Sequence, residues 1–494
     1  MSEAARPGIA THYVRYTIGN VLVMVAGFVS YPVMARLLSY NEFGIFGYVD
    51  TWLLILAALF KLGGQHAILR FYPHRGGSGA LARFGSNFVL LPLLCSIGLW
   101  LLALAAFGIY SVVVPETRHA IGWLMLAVLL PTMWISFVSM VFAAEERSDL
   151  SVRVNVSWRW FEVAAILPII YLVTRSADGV YAGRLIAAAL VALPLSIWLW
   201  RRIPMRWRDH DTASWLEGVR YGIPMMASEL SSILLSFVDR LMLRHLLGAF
   251  APVGVYTIGY NLAMTINSLI QNALNVAFTQ VSVRQYETEG PQAVVRTKHA
   301  VLHVLVYVVT AAVVGLVTVG DDALLFMAGS EKAASAPVFV LIGITYLVNG
   351  LLGICSAGLM LRKRSGTIFA TTAGATVLNV LLNLFWIPEF GVMGAVWATL
   401  VSFVVLNVAR YLLCPRDLRA LPDGRGTLIA AALALLVWLV AHFSGMFGFH
   451  SHLERLVVMA ALMLVFYAAP ALVLDAKLRN AIRDWWMHRR GALA

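Results

Sequence analysis

The chain has 494 residues, of which 60% are hydrophobic and 13% charged, with a formal net charge of +12. Its mean hydropathy is +0.80, which excludes a water-soluble globule and fits an all-α polytopic membrane protein. Cys95, Cys355 and Cys414 lie in or beside apolar runs and suggest neither a disulfide framework nor a metal site.

About fourteen transmembrane helices are expected. They are placed at 14–38, 43–69, 87–109, 120–143, 154–173, 180–200, 221–247, 253–281, 300–319, 338–361, 366–386, 392–413, 427–447 and 456–474. The first run is long enough to insert as a helix rather than act as a cleaved signal. Connections are short and leave no room for an extramembrane catalytic domain. The longest loop on the cation-poor side, 321–337, is modest and made mostly of small residues.

Lys and Arg set the orientation. Alternate loops, starting from the N-terminal tail, hold about 25 of them, against about five in the opposite set. Lys298 counts among the former and Arg36 among the latter. Both termini are therefore expected in the cytoplasm. The basic balance is then topology, and nucleic acid is not expected as a partner.

In the second span Asp50 and Lys61 are about three turns apart and share a face, which Gln65 extends. In the fifth, Arg159 and Glu162 form a local i, i+3 pair. The seventh span, 221–247, is unusually polar. Glu229, Ser232, Ser236 and Arg240 fall on one face, flanked by Asp239 and Arg244. A charge at the bilayer centre costs about 2.5–3.5 kcal/mol, so this stripe should meet a partner helix or a wet cavity. A competing reading has Asp239 and Arg240 snorkelling at a membrane edge. Pro224 is expected in the first helical turn. The eighth span carries Asn261, Thr265, Ser268, Asn272, Asn275 and Thr279 on one face, as a water-lined wall or as interhelical glue. Asn379 and Asn383 are read as bonding neighbouring helices, 388–391 as a tight turn, and Arg410 as snorkelling. The tail alternates Lys and Arg with Ile482, Trp485, Trp486 and Met487, as an amphipathic helix on the cytoplasmic leaflet does.

A faint repeat divides the chain. Glu42-Phe43-Gly44 resembles Pro252-Val253-Gly254, and Gly179-Val180 resembles Gly391-Val392, at nearly one offset. The expected organisation is an N-terminal six-helix bundle (1–210), a second bundle of like orientation (211–420), two additional helices (421–475) and a basic tail (476–494).

Several segments, in order, resemble the polysaccharide flippase family. This is the Wzx-type branch of the multidrug/oligosaccharidyl-lipid/polysaccharide exporter superfamily. The resemblance is carried by Arg36-Leu37-Leu38 with Glu42-Phe43-Gly44, Leu62-Gly63 with Arg70-Phe71-Tyr72-Pro73, and Pro224 with Asp239-Arg240. It continues through Leu378-Asn379 to Asn383, Ile387-Pro388-Glu389-Phe390-Gly391, Gly394-Ala395 and Ala398-Thr399. It implies two bundles in a V-shaped arrangement and alternating access. The implied substrate is a polyprenyl-pyrophosphate-linked oligosaccharide, carried to the outer leaflet of the bacterial plasma membrane for surface polysaccharide synthesis. Membrane lipids and polysaccharide polymerase machinery are the other implied partners. A cationic cavity of Arg36, Lys61, Arg70, Arg240 and Arg244 would hold the pyrophosphate through charge-assisted hydrogen bonds. Asp50, Glu229, Asp239, Ser232, Ser236, Asn272 and Asn275 are the polar or coupling candidates, with Glu229 or Asp50 carrying a coupling proton.

No catalytic constellation, metal-ligand spacing or phosphate-binding glycine loop is present in the sequence, so neither an enzyme nor a cofactor is expected. The alternatives are a small-cation or multidrug antiporter of the same fold, a lipid II flippase, and a membrane polymerase or ligase. The last would need a sizeable outer loop.

Overall fold

The structure, a computed structural model, describes residues 9–480 and 483, except 74–76, 115–118, 444–447 and 449–450; within helices, the side chains of 9–17, 78, 148, 269–277 and 280 are outside the description. Most of the basic tail and the side chains of Asn272 and Asn275 therefore lie outside the described residues.

No strand occurs among the described residues. The chain divides into two compact units, Met1–Gly254 and Val255–Ala494. Twelve helical segments among the described residues are long and apolar enough to cross a membrane.

The first unit contains α1 (Ile9–Leu37), α2 (Tyr40–Phe60), α3 (Gly64–Phe71), α4 (Ser78–Phe84), α5 (Leu91–Val113), α6 (Ala120–Ala144), α7 (Ser148–Leu172), α8 (Ala177–Arg202), α9 (Thr212–Leu247) and the start of α10 (Ala251–Thr288). A π-helical turn over Gly85–Leu90 joins α4 to α5. The helix α7 packs on both α1 and α8, and α6 packs on α8, α3 and α2. Between α3, α6 and α8 lies a core of Ile68, Phe88, Trp134, Phe137, Phe142 and Leu199. By contrast α5 turns Leu102, Ile109, Val112 and Val113 outward, as a lipid-facing helix does. The helix α7 is as long as its neighbours but carries Arg153, Asn155, Arg159 and Glu162, which lower its hydropathy.

The second expected span is not one helix. It stops at Phe60, turns through Leu62 (φ 49°) and Gly63 (φ 72°), and restarts as α3. The left-handed backbone at Gly63 suits glycine, and there is a second reason for it. A Cβ on Gly63 would come within 2.0 Å of the Gly222 carbonyl oxygen of α9. The break therefore seats directly on α9.

The helix α9 also departs from expectation. It starts at the Asp211 N-cap, whose carboxylate accepts from the Ala213 and Ser214 amides. Pro224 is therefore about three turns inside the helix, not in its first turn; the cap, not the proline, sets the start.

The second unit continues with the rest of α10 and with α11 (Pro291–Ala328), α12 (Ala336–Cys355), α13 (Gly358–Leu361), α14 (Ser365–Phe390), α15 (Val392–Leu413), α16 (Gly424–Phe443), α17 (His452–Leu462) and α18 (Ala469–Leu474). Here α14 packs on α15, α12 on both α11 and α15, and α11 on α16 and α17. The segment 321–337 is not a loop. Leu324 and its neighbours extend α11 to Ala328, and a 3₁₀ turn over Ser330–Ser335 leads into α12. The turn at 388–391 shrinks to one residue, because α14 runs through Pro388 to Phe390 and only Gly391 (φ 57°) breaks it. Asn383 Nδ2 donates to Asn379 Oδ1 of its own helix at 3.0 Å, since i, i+4 places both on one face. Lys298, expected in a loop, is fully buried within α11, where its ammonium donates to the carbonyls of Leu418 (2.7 Å) and Cys355 (3.2 Å).

Candidate functional site

The break between α2 and α3 builds a polar cluster inside the first unit. Lys61 is the C-cap of α2, and Gln65 and His66 occupy the first turn of α3. Because Gly63 sits on Gly222, these side chains face the next two turns of α9, where Glu229 stands. Lys61 Nζ donates to Glu229 Oε1 at 3.1 Å and to Gln65 Oε1 at 2.7 Å. Gln65 Nε2 donates to Glu229 Oε2 at 2.6 Å, and its Oε1 also accepts from Ser136 Oγ of α6 at 3.0 Å. His66 Nε2 is 3.4 Å from Glu229 Oε2. Lys61 and Gln65 are buried. The side chains of Glu229 and His66 are 26% and 29% exposed, so the cluster is reached from their side.

Among the described residues, two of the three N–H groups of the Lys61 ammonium are taken, which leaves one for a further oxygen acceptor. Glu229 is the group to which Lys61 is bound. Neutralising that carboxylate would release the ammonium.

A second network joins α2, α7 and α8. Arg184 of α8 bonds Asp50, lies 3.9 Å from Glu162, and has its guanidinium over the rings of Phe46 (5.0 Å) and Tyr181 (5.4 Å). Arg159 Nη1 donates to Glu162 Oε2 at 2.8 Å and its guanidinium lies over Tyr31 at 5.6 Å. The i, i+3 pair expected from sequence is thus part of a larger assembly. Asp50 belongs to this network and Lys61 to the other, so the two residues expected on one face work with different partners.

The remaining candidates are dispersed. Asp239 and Arg240 are completely buried, and the Arg240 guanidinium lies over Phe237 at 4.9 Å. That corrects the snorkelling reading, because a snorkelling head group would be exposed. Arg244 is half-buried over Phe250 at 4.5 Å. Arg70 is exposed, with its guanidinium 4.6 Å from the Tyr221 ring centre. Arg36 is exposed in the last turn of α1. Ser232 is exposed and donates to the Ser228 carbonyl at 3.0 Å, while Ser236 is half-buried. Thr265 and Ser268 of α10 donate to carbonyls of their own helix at 2.8 and 2.7 Å, as mid-helix hydroxyls do. Arg410 Nη2 donates to Thr372 Oγ1 at 2.8 Å.

Three participants were missed by sequence reasoning. Ser136 is one of several hydroxyl residues along α6, and nothing marks it out. His66 stands next to Gln65, which extends the Lys61 face, and that adjacency was its only signal. Arg184 comes shortly after the Gly179-Val180 repeat motif, but nothing local links it to Asp50.

The family described as "polysaccharide biosynthesis protein" matches residues 12–283, more than half of the chain. Two relatives come from Haloferax volcanii. A probable flippase, AglR, is 23% identical over 60% of this chain and 63% of its own length. A probable low-salt glycan biosynthesis flippase, Agl15, is 25% identical over 32% of this chain and 34% of its own. The chain thus spans less than two thirds of each of these curated relatives. Among solved structures, the lipid II flippase MurJ in an inward closed conformation aligns with a TM-score of 0.69 at 13% identity, covering 93% of this chain and 98% of MurJ. An inward-facing multidrug resistance MATE family transporter of the MOP superfamily aligns with a TM-score of 0.64 at 15% identity, covering 85% and 98%. These alignments show the fold.

Proposed function

Since this chain belongs to the polysaccharide biosynthesis protein family, we propose that it is a flippase. It carries a polyprenyl-pyrophosphate-linked oligosaccharide from the cytoplasmic to the outer leaflet of a bacterial plasma membrane, by alternating access. Both termini lie on the cation-rich, cytoplasmic side, and the lipid-linked product is passed on to polymerase machinery. The observation that carries this reading is the Lys61–Glu229 pair, 3.1 Å apart, in a span-rich bundle.

A pyrophosphate cannot cross hydrocarbon bare. Lys61 offers it a charge-assisted donor, and Glu229 competes for that donor. Protonation of Glu229 frees Lys61 for the substrate, and substrate release lets the pair close again. Glu229 is thereby the coupling carboxylate. Asp50 pairs with Arg184 rather than with Lys61, so its protonation would not free the substrate's donor.

The test is flipping in liposomes with a polyprenyl-pyrophosphate oligosaccharide. The native chain should move the lipid, and Lys61→Ala should lower the rate at least about tenfold, as loss of a charged hydrogen bond of about 1.5–3 kcal/mol predicts. Glu229→Gln should remove the pH dependence of the rate. Export of small cations without glycolipid movement would overturn this reading in favour of an antiporter.

A further inference from the structure

The link from α8 to α9, residues 203–211, is pinned to the π-helical turn over Gly85–Leu90. Ser86 and Asn87 of that turn are each 1% exposed. Ser86 Oγ lies 2.7 Å from the Arg206 carbonyl oxygen and accepts from the Arg206 amide at 3.2 Å. Asn87 Oδ1 accepts from the Asp211 amide at 3.0 Å and from His210 Nδ1 at 2.8 Å. His210 in turn stacks on the Trp207 ring, with 5.9 Å between centres. Gly85 lies under this strap, where a Cβ would come within 2.3 Å of the Pro204 carbonyl oxygen. The same turn holds the root of α9, since a Cβ on Gly218 would come within 2.5 Å of the Phe88 ring.

The outward side of the strap is basic and aromatic. Residues 200–211 hold four arginines against Asp209 and Asp211, and Asp211 is engaged in the α9 cap. Arg202 pairs with Glu145 at 3.4 Å. Arg201, Arg206 and Arg208 are exposed, and among the described residues no carboxylate lies within ion-pair distance of them. Trp207 is exposed, and so is Trp200. Trp200 ends an exposed stripe on α8 that runs through Leu190, Leu193 and Ile197 at steps of three, four and three. Such a stripe faces lipid, and tryptophan marks the headgroup level at its end. The strap is thus an ordered basic ledge where a lipid-facing stripe meets water.

Three exposed guanidinium groups without acidic partners call for an anion, and the stripe leading up to them calls for a hydrocarbon chain on that anion. We propose that the strap seats an anionic phospholipid of the phosphatidylglycerol class. Arg201, Arg206 and Arg208 meet its phosphate, and the α8 stripe beds an acyl chain. Pinning by Ser86 and Asn87 favours the complex, because an ordered backbone loses less freedom on binding. A lipid in this seat steadies the root of α9, the helix that carries Glu229. Nothing in the seat depends on what the chain transports.

Native mass spectrometry of the full chain tests this, with phosphatidylglycerol, phosphatidylcholine, geranylgeranyl phosphate and inorganic phosphate as separate probes. Phosphatidylglycerol should be retained in preference to the other three. Arg206→Gln combined with Arg208→Gln should weaken it about thirtyfold, as the usual contribution of two arginines at a membrane surface predicts. Arg364→Gln combined with Arg416→Gln, an exposed and charge-matched pair in the second unit, should change nothing. Asn87→Ala removes no charge, yet should weaken binding several-fold by loosening the strap. Phosphatidylglycerol should also raise the thermal midpoint of the native chain and not that of the strap double variant. Equal losses in the two double variants would overturn the proposal, since overall charge would then suffice. Equal retention of phosphatidylcholine would overturn it and leave the strap to an acidic protein surface. Equal retention of geranylgeranyl phosphate or inorganic phosphate would overturn the phospholipid assignment, and native-like binding by folded Asn87→Ala would overturn the role of the pinned strap.

Discussion

Gly44 and Gly254, the glycines at equivalent places in the two repeat motifs, lie against each other. A Cβ built on Gly44 would be 2.9 Å from the Gly254 nitrogen and 1.9 Å from the Phe250 carbonyl oxygen; one built on Gly254 would be 1.8 Å from the Tyr40 carbonyl oxygen. The helix starts of α2 and α10 therefore touch backbone to backbone. Gly44→Ala or Gly254→Ala should force them apart at a cost of about 1–3 kcal/mol or more. The readout is the thermal midpoint in detergent, with fluorescence-detected size exclusion as a second check, and an unshifted midpoint for both variants would contradict the contact.

The Lys61–Glu229 pair should be energetically coupled. A double-mutant cycle with Lys61→Met and Glu229→Gln should return a coupling of about 0.5–3 kcal/mol in stability. A value of zero would mean that solvent rather than Lys61 balances Glu229.

The Asp50–Arg184 bond lies in a mostly buried network, so breaking it strands a charge. Asp50→Leu or Arg184→Met alone should destabilise by about 3–5 kcal/mol, and the double variant should recover most of that loss. Denaturation in a mild detergent series would show it. Recovery is the diagnostic outcome, because a purely steric role would make the two losses add.

Lys298 serves as a strut, joining α11 to the carbonyls of Cys355 and Leu418. Lys298→Met keeps the length but leaves both carbonyls unanswered, at about 1–3 kcal/mol each. A lower unfolding temperature with unchanged membrane insertion is expected.

Asp475 closes α18 and caps the turn after it, accepting from the amides of Lys477 (2.9 Å) and Leu478 (3.1 Å) and from the Tyr307 hydroxyl (2.8 Å). Its other neighbour is His303, at 3.0 Å. Burial raises its pKa, but the hydrogen bonds from Leu478 and Tyr307 and the nearby His303 outweigh burial and hold it below the ordinary value. A depressed carboxylate stabilises the fold above its unfolded pKa of about 3.9 and loses that contribution as pH falls through the folded value. The stability gap between native protein and Asp475→Asn should therefore be flat from pH 8 to about 5 and close in stronger acid. A gap that widens in acid would contradict this assignment.

The helical class and most span centres were legible because hydrophobic runs and cation counts survive any packing. The helix ends were less so. The Asp211 cap lies beyond the apolar run of α9, and Leu62–Gly63 breaks a span that turns apolar again at Ala67-Ile68-Leu69. The site was legible in parts: Lys61, Gln65 and Glu229 each stood out as polar residues in apolar company. Their meeting was not legible, because it depends on Gly63 resting on Gly222, a contact between residues far apart in the chain. The pairing of Asp50 with Arg184 was hidden for the same reason, since its partners are 134 positions apart.

The four-residue network on α2, α7 and α8 has an electrical consequence. Asp50 and Glu162 cancel Arg159 and Arg184. A net elementary charge carried across the membrane exchanges about 2.3 kcal/mol with each 100 mV. These balanced groups exchange nothing, however far they travel. Any voltage dependence in the transport cycle would therefore measure the charge of the cargo, of the coupling proton and of the Lys61 ammonium it leaves unbalanced, not a gating charge contributed by these four residues.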